Sequence, residues 1–210
     1  MSHALRLLVD LDQNALRATT GLRWGPATAV LVLASAWWVK GPLLVAAGWG
    51  ADVRNRRLFP LVALAATLSF ALASWLNGVI KALVDRGRPP HAEAVTGVPG
   101  SPSFPSGHAM SAFAVATAIA LLAPRLRWPV LALASVIAFS RVYLGVHFWL
   151  DVLTGAALGM TIGAVIAVAV RRLALRLPRC GSSPAARIST TAKRPTCQPT
   201  IMPTTTSSGK

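Results

Sequence analysis

The chain has 210 residues, of which 54% are hydrophobic and only 13% are charged, and this composition is too apolar for an ordinary soluble domain. We therefore expect an integral membrane protein. The net charge of +15 does not indicate nucleic-acid binding, because the basic residues lie in short clusters between apolar runs rather than along one amphipathic face. The two cysteines, Cys180 and Cys197, lie in a polar tail and are too few for a disulfide framework or a zinc site.

Residues 1–23 form the first predicted unit, an amphipathic helix. Leu5, Leu8, Leu11 and Leu16 recur at roughly helical spacing, with charged residues among them. Such a segment is too polar to span a bilayer, so we expect it to lie in the membrane interface. A helix that packs against the rest of the protein fits the pattern nearly as well.

Residues 24–177 form the second predicted unit, an all-α, polytopic membrane bundle of about five transmembrane helices. Lys40, followed by Gly41 and Pro42, interrupts the first span, which indicates either a break in that helix or an uneven depth in the membrane. In the fifth span, glycines recur every four residues, a spacing that allows close helix packing in lipid. The predicted spans are 24–49, 59–83, 106–122, 128–143 and 148–170, and the glycines are Gly155, Gly159 and Gly163.

The long polar connection within the apolar part of the chain covers residues 85–105, and loops of this length usually carry function or disorder. We interpret Asp85 and Arg86 as an exposed local ion pair of little energetic value, with contact to the substrate as the alternative. We interpret His91 and Glu93 as solvated loop residues. Residues 178–210 form the third predicted unit. This basic tail is rich in Ser, Thr and Pro, has no hydrophobic periodicity and is predicted to be disordered.

If the chain crosses the membrane five times, four span ends lie on the same side of the membrane: the end of the second span, the start of the third, the end of the fourth and the start of the fifth. Ionisable side chains beside hydrocarbon cost several kcal/mol unless they face one another, a cavity or a ligand. We therefore expect the polar clusters at these four positions to converge on one site. They are Lys81, Arg88 and Pro89 after the second span, Ser106, Gly107 and His108 at the start of the third, and Ser140, Arg141, His147 and Asp151 between the fourth and fifth.

His147 and Asp151 are four residues apart, so the carboxylate can accept a hydrogen bond from one ring nitrogen and leave the other nitrogen free. Such a histidine is a nucleophile, a general base or a metal ligand. The alternative is that both residues cap a transmembrane helix while Arg141 extends to the headgroups.

The charges of the three clusters favour an anionic ligand, most simply a phosphate. Lys81, Arg88 and Arg141 are cations, and the amides of residues 106–108 point outward at a helix N-terminus. His147 would then attack phosphorus, and His108 would give a proton to the leaving oxygen. We expect no metal or other cofactor, because Asp151 is the only acidic residue well placed in this group and a magnesium site usually needs more carboxylate oxygens.

The three clusters resemble the three-part signature of the type 2 phosphatidic acid phosphatase superfamily. The matching residues are Lys81 with six residues to Arg88-Pro89, then Pro105-Ser106-Gly107-His108, then Ser140-Arg141 with five residues to His147 and three more to Asp151. The resemblance implies a membrane lipid phosphatase that works through a phosphohistidine on His147, with His108 as general acid and Asp151 orienting the nucleophile. It also implies a set of phosphate ligands, namely Lys81, Arg88, Ser106, Gly107 and Arg141.

The short N-terminal helix and five spans are similar to the compact bacterial members that act on undecaprenyl pyrophosphate. The resemblance does not select a lipid, so phosphatidic acid, phosphatidylglycerol phosphate and polyprenyl phosphates all remain open. Vanadate-dependent haloperoxidases share the signature but are soluble. A lipid carrier or flippase would bind a phosphate headgroup without cleaving it, yet binding alone does not need a histidine backed by a carboxylate.

Basic residues also predict the orientation in the cell membrane. Nine arginines follow the fifth span or lie in the connections on the face opposite the clusters, and the positive-inside rule makes that face cytoplasmic. The site would then face outward from the cell. The nine are Arg54, Arg56, Arg57, Arg125, Arg127, Arg171, Arg172, Arg176 and Arg179.

Overall fold

The computed structural model describes residues 3–36, 39–54, 60–90 and 94–176. His91, Glu93 and the predicted tail at 178–210 lie outside the described residues. Within them the chain forms seven α-helices, which confirms the all-α prediction. They are α1 (His3–Gly21), α2 (Gly25–Ala34), α3 (Leu44–Arg54), α4 (Leu61–Val84), α5 (Gly107–Leu122), α6 (Arg127–Tyr143) and α7 (Trp149–Arg176), with a π-helical segment at Val39–Leu43 and a 3-10 turn at Pro124–Leu126.

Helix α5 lies in the centre of the bundle, in contact with α4, α6 and α7. Its side chains are buried around most of its circumference, including Met110, Val115 and Ile119. A helix that is apolar on all sides is expected in the interior of a membrane bundle. Its first residues are therefore surrounded by the ends of the neighbouring helices.

The glycines of α7 allow its backbone to touch that of α5. A Cβ at Gly155 would lie 2.7 Å from the carbonyl oxygen of Ser106, and a Cβ at Gly159 would collide with the carbonyl oxygen of Met110. Gly163 repeats this contact against Ala114. Both helices advance four residues per contact, so the predicted close packing is confirmed and fixes the start of α5 beside the start of α7.

Among the described residues, three helical stretches are long and apolar enough to cross a membrane, and they coincide with the second, fourth and fifth predicted spans: Leu61–Val84, Pro124–Tyr143 and Trp149–Arg176. Helix α5 coincides with the third, but its 16 residues extend only about 24 Å. The first predicted span is not one helix, since α2 ends at Ala34 and α3 begins at Leu44. The described part of the interruption is Ser35 and Ala36, whereas Gly41 and Pro42 lie inside the π-helical segment Val39–Leu43, which leads directly into α3. Of the two alternatives, the structure favours a break, and it lies before Lys40.

Helix α1 combines both properties considered for it. Leu16 is buried in a cluster with Val142 and Phe148, so the helix packs against α6 and α7. Leu7, Leu8 and Leu11 are at least half exposed, at 50%, 52% and 64%. The helix therefore has one side fixed to the bundle and apolar side chains directed away from it.

Candidate active site

The connection between α6 and α7 turns His147 back over the end of α6. Gly145 has φ 72°, a conformation that side chains with a Cβ rarely adopt. The amides of Val146 and His147 both donate to the carbonyl oxygen of Arg141, at 3.1 and 3.2 Å. His147 is thereby buried, with 2% of its surface exposed, just before α7 begins.

The two ring nitrogens of His147 face groups of opposite charge. Nδ1 lies 3.5 Å from Oδ2 of Asp151, and Nε2 lies 3.3 Å from Nη1 of Arg88. A guanidinium can only donate, so Nε2 carries the lone pair and the proton belongs on Nδ1. Burial lowers the pKa of His147 to about 4, because desolvation disfavours the charged imidazolium. The ring is a neutral base at pH 7.

Asp151 is fully buried, at 0% exposure, and both of its carboxylate oxygens have partners. Oδ2 accepts from the hydroxyl of Ser103 and from the amide of Phe148 at 3.0 Å, besides facing His147. Ser103 also lies 3.4 Å from Nδ1 of His147. Asp151 therefore caps the start of α7 and also supports His147, so the two roles weighed for it are compatible.

The cations Lys81 and Arg88 meet at Ser101, which sequence analysis had not singled out. The Ser101 hydroxyl accepts from Lys81 Nζ at 3.2 Å and from Arg88 Nη2 at 3.1 Å. Arg88 Nη1 also donates to the carbonyl oxygen of Val146 at 2.8 Å. The loop after α4 thus brings two positive charges to the turn that holds His147.

The start of α5 also lies beside Asp151. The amide of Ser106 donates to the carbonyl oxygen of Asp151 at 3.0 Å, and Asn77 Nδ2 holds the carbonyl oxygen of Pro105 at 3.1 Å. A Cβ at Gly107 would lie 2.7 Å from Asn77 Oδ1, so a side chain there would displace the Asn77 amide. His108 follows on α5, and its Nε2 lies 3.1 Å from the carbonyl oxygen of Ser35 at the end of α2.

Two buried donors suit an anion. Within the described ranges, Ser106 Oγ and Arg141 Nε have no hydrogen-bond partner, although burying such groups unpaired is costly. Arg141 is 7% exposed and is electrostatically repelled by Arg88. A phosphate would relieve this repulsion and satisfy both donors. No three His, Cys, Asp or Glu side chains in the described part of the chain are close enough to share a metal ion.

The interpretation of Asp85 and Arg86 as a local ion pair is wrong. Asp85 ends α4 in a left-handed conformation, with φ 42°, whereas Arg86 is directed inward. Arg86 pairs with Asp151 at 2.6 Å and with Asp12 of α1 at 2.8 Å. The expectation that Asp151 is the only acidic residue of the group is also wrong, because Asp12 joins it through Arg86. The available signal was that Asp12 lies one turn before Leu16 on the face of α1 that is buried.

Comparison with known proteins identifies the family. The model of the PAP2 superfamily matches residues 62–174, more than half of the chain. The chain is 42% identical over 118 residues to the decaprenylphosphoryl-5-phosphoribose phosphatase of Mycobacterium tuberculosis, covering 54% of this chain and 62% of that protein. It is 39% identical over 131 residues to phosphatidylglycerophosphatase B of Bacillus subtilis, covering 57% and 62%. The chain thus spans about three fifths of the length of these relatives.

A solved structure agrees over more of the chain. The fold is similar to that of the first transmembrane PAP2 type phosphatidylglycerolphosphate phosphatase from Bacillus subtilis, with a TM-score of 0.66 and 28% identity. The similarity covers 86% of this chain and 90% of the other. With the family match, the apolar helices and this fold, the chain is a multi-pass membrane protein that belongs to the PAP2 superfamily.

Proposed function

We propose that the protein is an integral membrane lipid phosphatase that transfers a phosphoryl group from a lipid to His147 and then to water. The observation that carries this proposal is the orientation of His147. Its Nδ1 is backed by the buried Asp151, and its Nε2 lone pair faces Arg88, which belongs to the cations predicted to bind phosphate. A carrier that only binds headgroups has no need of such an imidazole.

The steps use side chains of this chain alone. Nε2 of His147 attacks phosphorus, the P–N bond forms, and the bond between phosphorus and the lipid oxygen breaks. His108 gives its proton to the departing alkoxide and afterwards accepts one from the water that attacks the phosphohistidine. The P–N bond then breaks, inorganic phosphate leaves, and His147 is again neutral with its proton on Nδ1.

The phosphate ligands supply the charge stabilisation. Lys81, Arg88 and Arg141 would neutralise the phosphoryl oxygens, while the Ser106 hydroxyl and the Gly107 amide would donate to them at the start of α5. These cations take the place of a divalent metal in the proposed reaction. Activity should therefore persist when EDTA is present.

We infer that the substrate is a phosphorylated membrane lipid. The names of the relatives concern decaprenylphosphoryl-phosphoribose and phosphatidylglycerophosphate, and the feature common to both is a phosphate group on a lipid. The substrates to compare are a polyprenyl diphosphate, phosphatidic acid and phosphatidylglycerol phosphate.

The decisive experiment measures inorganic phosphate released from these three lipids by purified protein in detergent with EDTA. We expect release from at least one lipid, and a His147→Ala variant that is folded and inserted but has lost nearly all turnover. Binding of a lipid phosphate without release would favour a carrier. Activity above about a tenth of wild type in His147→Ala, a loss below ~1.4 kcal/mol in barrier terms, would contradict the phosphohistidine mechanism.

We also propose five membrane crossings within residues 24–177, with α2 and α3 together forming the first and α1 lying in the interface. The exposed Leu7, Leu8 and Leu11 support the position of α1. The nine arginines support a site on the outer side of the cell membrane. With Cys180 and Cys197 replaced, a Gly97→Cys variant should react with an impermeant maleimide in intact cells, and Pro124→Cys only after lysis. The reverse pattern would put the site in the cytoplasm.

A further inference from the structure

Arg86 lies between two buried carboxylates from distant parts of the chain. Its Nη1 donates to Asp151 Oδ1 at 2.6 Å, and its Nη2 donates to Asp12 Oδ2 at 2.8 Å. The Asp12 and Asp151 side chains are 1% and 0% exposed, against 25% for Arg86. The guanidinium also lies 4.6 Å from the centre of the Phe148 ring. These three contacts leave little freedom for any of the three charged groups.

Asp12 also forms a direct hydrogen bond with the beginning of α7. Its Oδ1 accepts the amide N–H of Leu150 at 3.1 Å, one residue before Asp151. Another hydrogen bond joins the same helices, from Trp149 Nε1 to Thr19 Oγ1 at 3.0 Å. Helix α1 is thus attached to the first turn of α7, the turn that carries the carboxylate behind His147.

The two oxygens of Asp151 have different partners. Oδ1 is bound by Arg86, whereas Oδ2 faces His147 Nδ1. An adjacent guanidinium stabilises the ionised form of a buried carboxylate, and only an acceptor at Oδ2 holds the proton of His147 on Nδ1. Without Arg86, Asp12 and Asp151 would be two buried carboxylates with less compensating charge, and one of them would turn away or take up a proton.

We propose that Asp12, acting through Arg86, is a positioning residue for the Asp151–His147 pair, so that the N-terminal helix determines how well His147 attacks. This inference rests on the proposed phosphatase function. Neither residue is among the proposed phosphate ligands, so their loss should slow the chemical step and leave phosphate binding nearly unchanged.

The test compares Asp12→Asn with Asp10→Asn, which removes the same charge from an exposed position of the same helix. Asparagine at 12 keeps an oxygen for the Leu150 amide but loses the charge that holds Arg86. We expect kcat per folded molecule to fall about tenfold or more in Asp12→Asn, while the inhibition constant of inorganic phosphate changes less than about threefold. Asp10→Asn should match wild type in both quantities.

A double variant tests whether Asp12 acts through Arg86. If it does, Asp12→Asn combined with Arg86→Met loses no more activity than Arg86→Met alone. If the activity losses of the two single variants multiply in the double variant, Asp12 does not act through Arg86, and its effect comes from its other contacts. A purely structural role would instead lower the thermal unfolding temperature and the folded fraction, with kcat per folded molecule unchanged.

The controls separate this inference from the function on which it rests. If wild type releases phosphate and Asp12→Asn does so at the same rate, the positioning role is wrong and the phosphatase function stands. If wild type and Asp10→Asn release no phosphate from any of the three lipids, the proposed function itself fails.

Discussion

The contact between α5 and α7 predicts that Gly159 tolerates no side chain. A Cβ there would overlap the carbonyl oxygen of Met110 and lie 3.0 Å from the amide nitrogen of Ala114. These are backbone atoms, so no rotamer change relieves the overlap, and the helices must separate by roughly 1 Å to restore normal contact distances. We expect Gly159→Ala to lose about 1–3 kcal/mol of folding stability through overpacking.

The assay is thermal unfolding in detergent, followed by tryptophan fluorescence. For a chain of this size, the expected loss lowers the unfolding temperature by roughly 3–10 °C. Gly78→Ala is the matched control, since a Cβ at that exposed helical glycine has no atom within 4 Å, and alanine there should keep or raise stability. Equal unfolding temperatures for the two variants would refute the close packing. At temperatures where Gly159→Ala is still folded, its activity should also be lower than that of wild type. The reason is that separation of α5 from α7 weakens the hydrogen bond between the Ser106 amide and the Asp151 carbonyl oxygen.

Three further predictions concern the chemistry. His108→Ala should reduce hydrolysis of a lipid phosphate by about 100-fold or more, but that of an activated aryl phosphate by less than about tenfold, and equal losses would exclude His108 as the acid. The pKa of His147 is lowered to about 4, chiefly by burial, so kcat/KM corrected for the ionisation of the substrate should stay constant as pH falls through 6.5 and decline only toward pH 4. A decline near pH 6.5 that is due to the enzyme would contradict a buried neutral imidazole. Arg141→Lys should weaken inhibition by inorganic phosphate about tenfold or more, since a charged hydrogen bond contributes roughly 1.5–3 kcal/mol, whereas Arg125→Lys at an exposed turn should leave it unchanged.

The sequence predicted those features that depend on local pattern. The apolar runs and their polar interruptions located α4 to α7 closely, and the repeat of Gly155, Gly159 and Gly163 predicted the packing on α5. The parity of the spans predicted which clusters share a side of the membrane. The structure brings Arg88, Ser106 and His147 into one connected set of contacts, in agreement with that expectation.

The sequence did not predict the pairing of Arg86. Its neighbour Asp85 offered a local partner, whereas its actual partners lie 74 and 65 residues away on helices whose relative placement no periodicity specifies. Ser101 and Ser103 were missed for a similar reason, because serine in a Pro- and Gly-rich loop is common and only the folded loop shows which hydroxyls contact Lys81, Arg88 and Asp151. The interruption of the first span was signalled by Lys40, Gly41 and Pro42, but the choice between a break and a change of depth required the end of α2 at Ala34 and the start of the π-helical segment at Val39.

The phosphorylation of His147 is the central claim, and rapid-quench trapping tests it most directly. Wild-type protein would be mixed for milliseconds with a lipid carrying ³²P in its phosphate and quenched in alkali, which preserves a P–N bond. We predict label on the peptide that contains His147, formed before phosphate is released and absent from His147→Ala. Release of labelled phosphate over the same time course with no label on that peptide, or with label on another residue, would contradict the proposed mechanism.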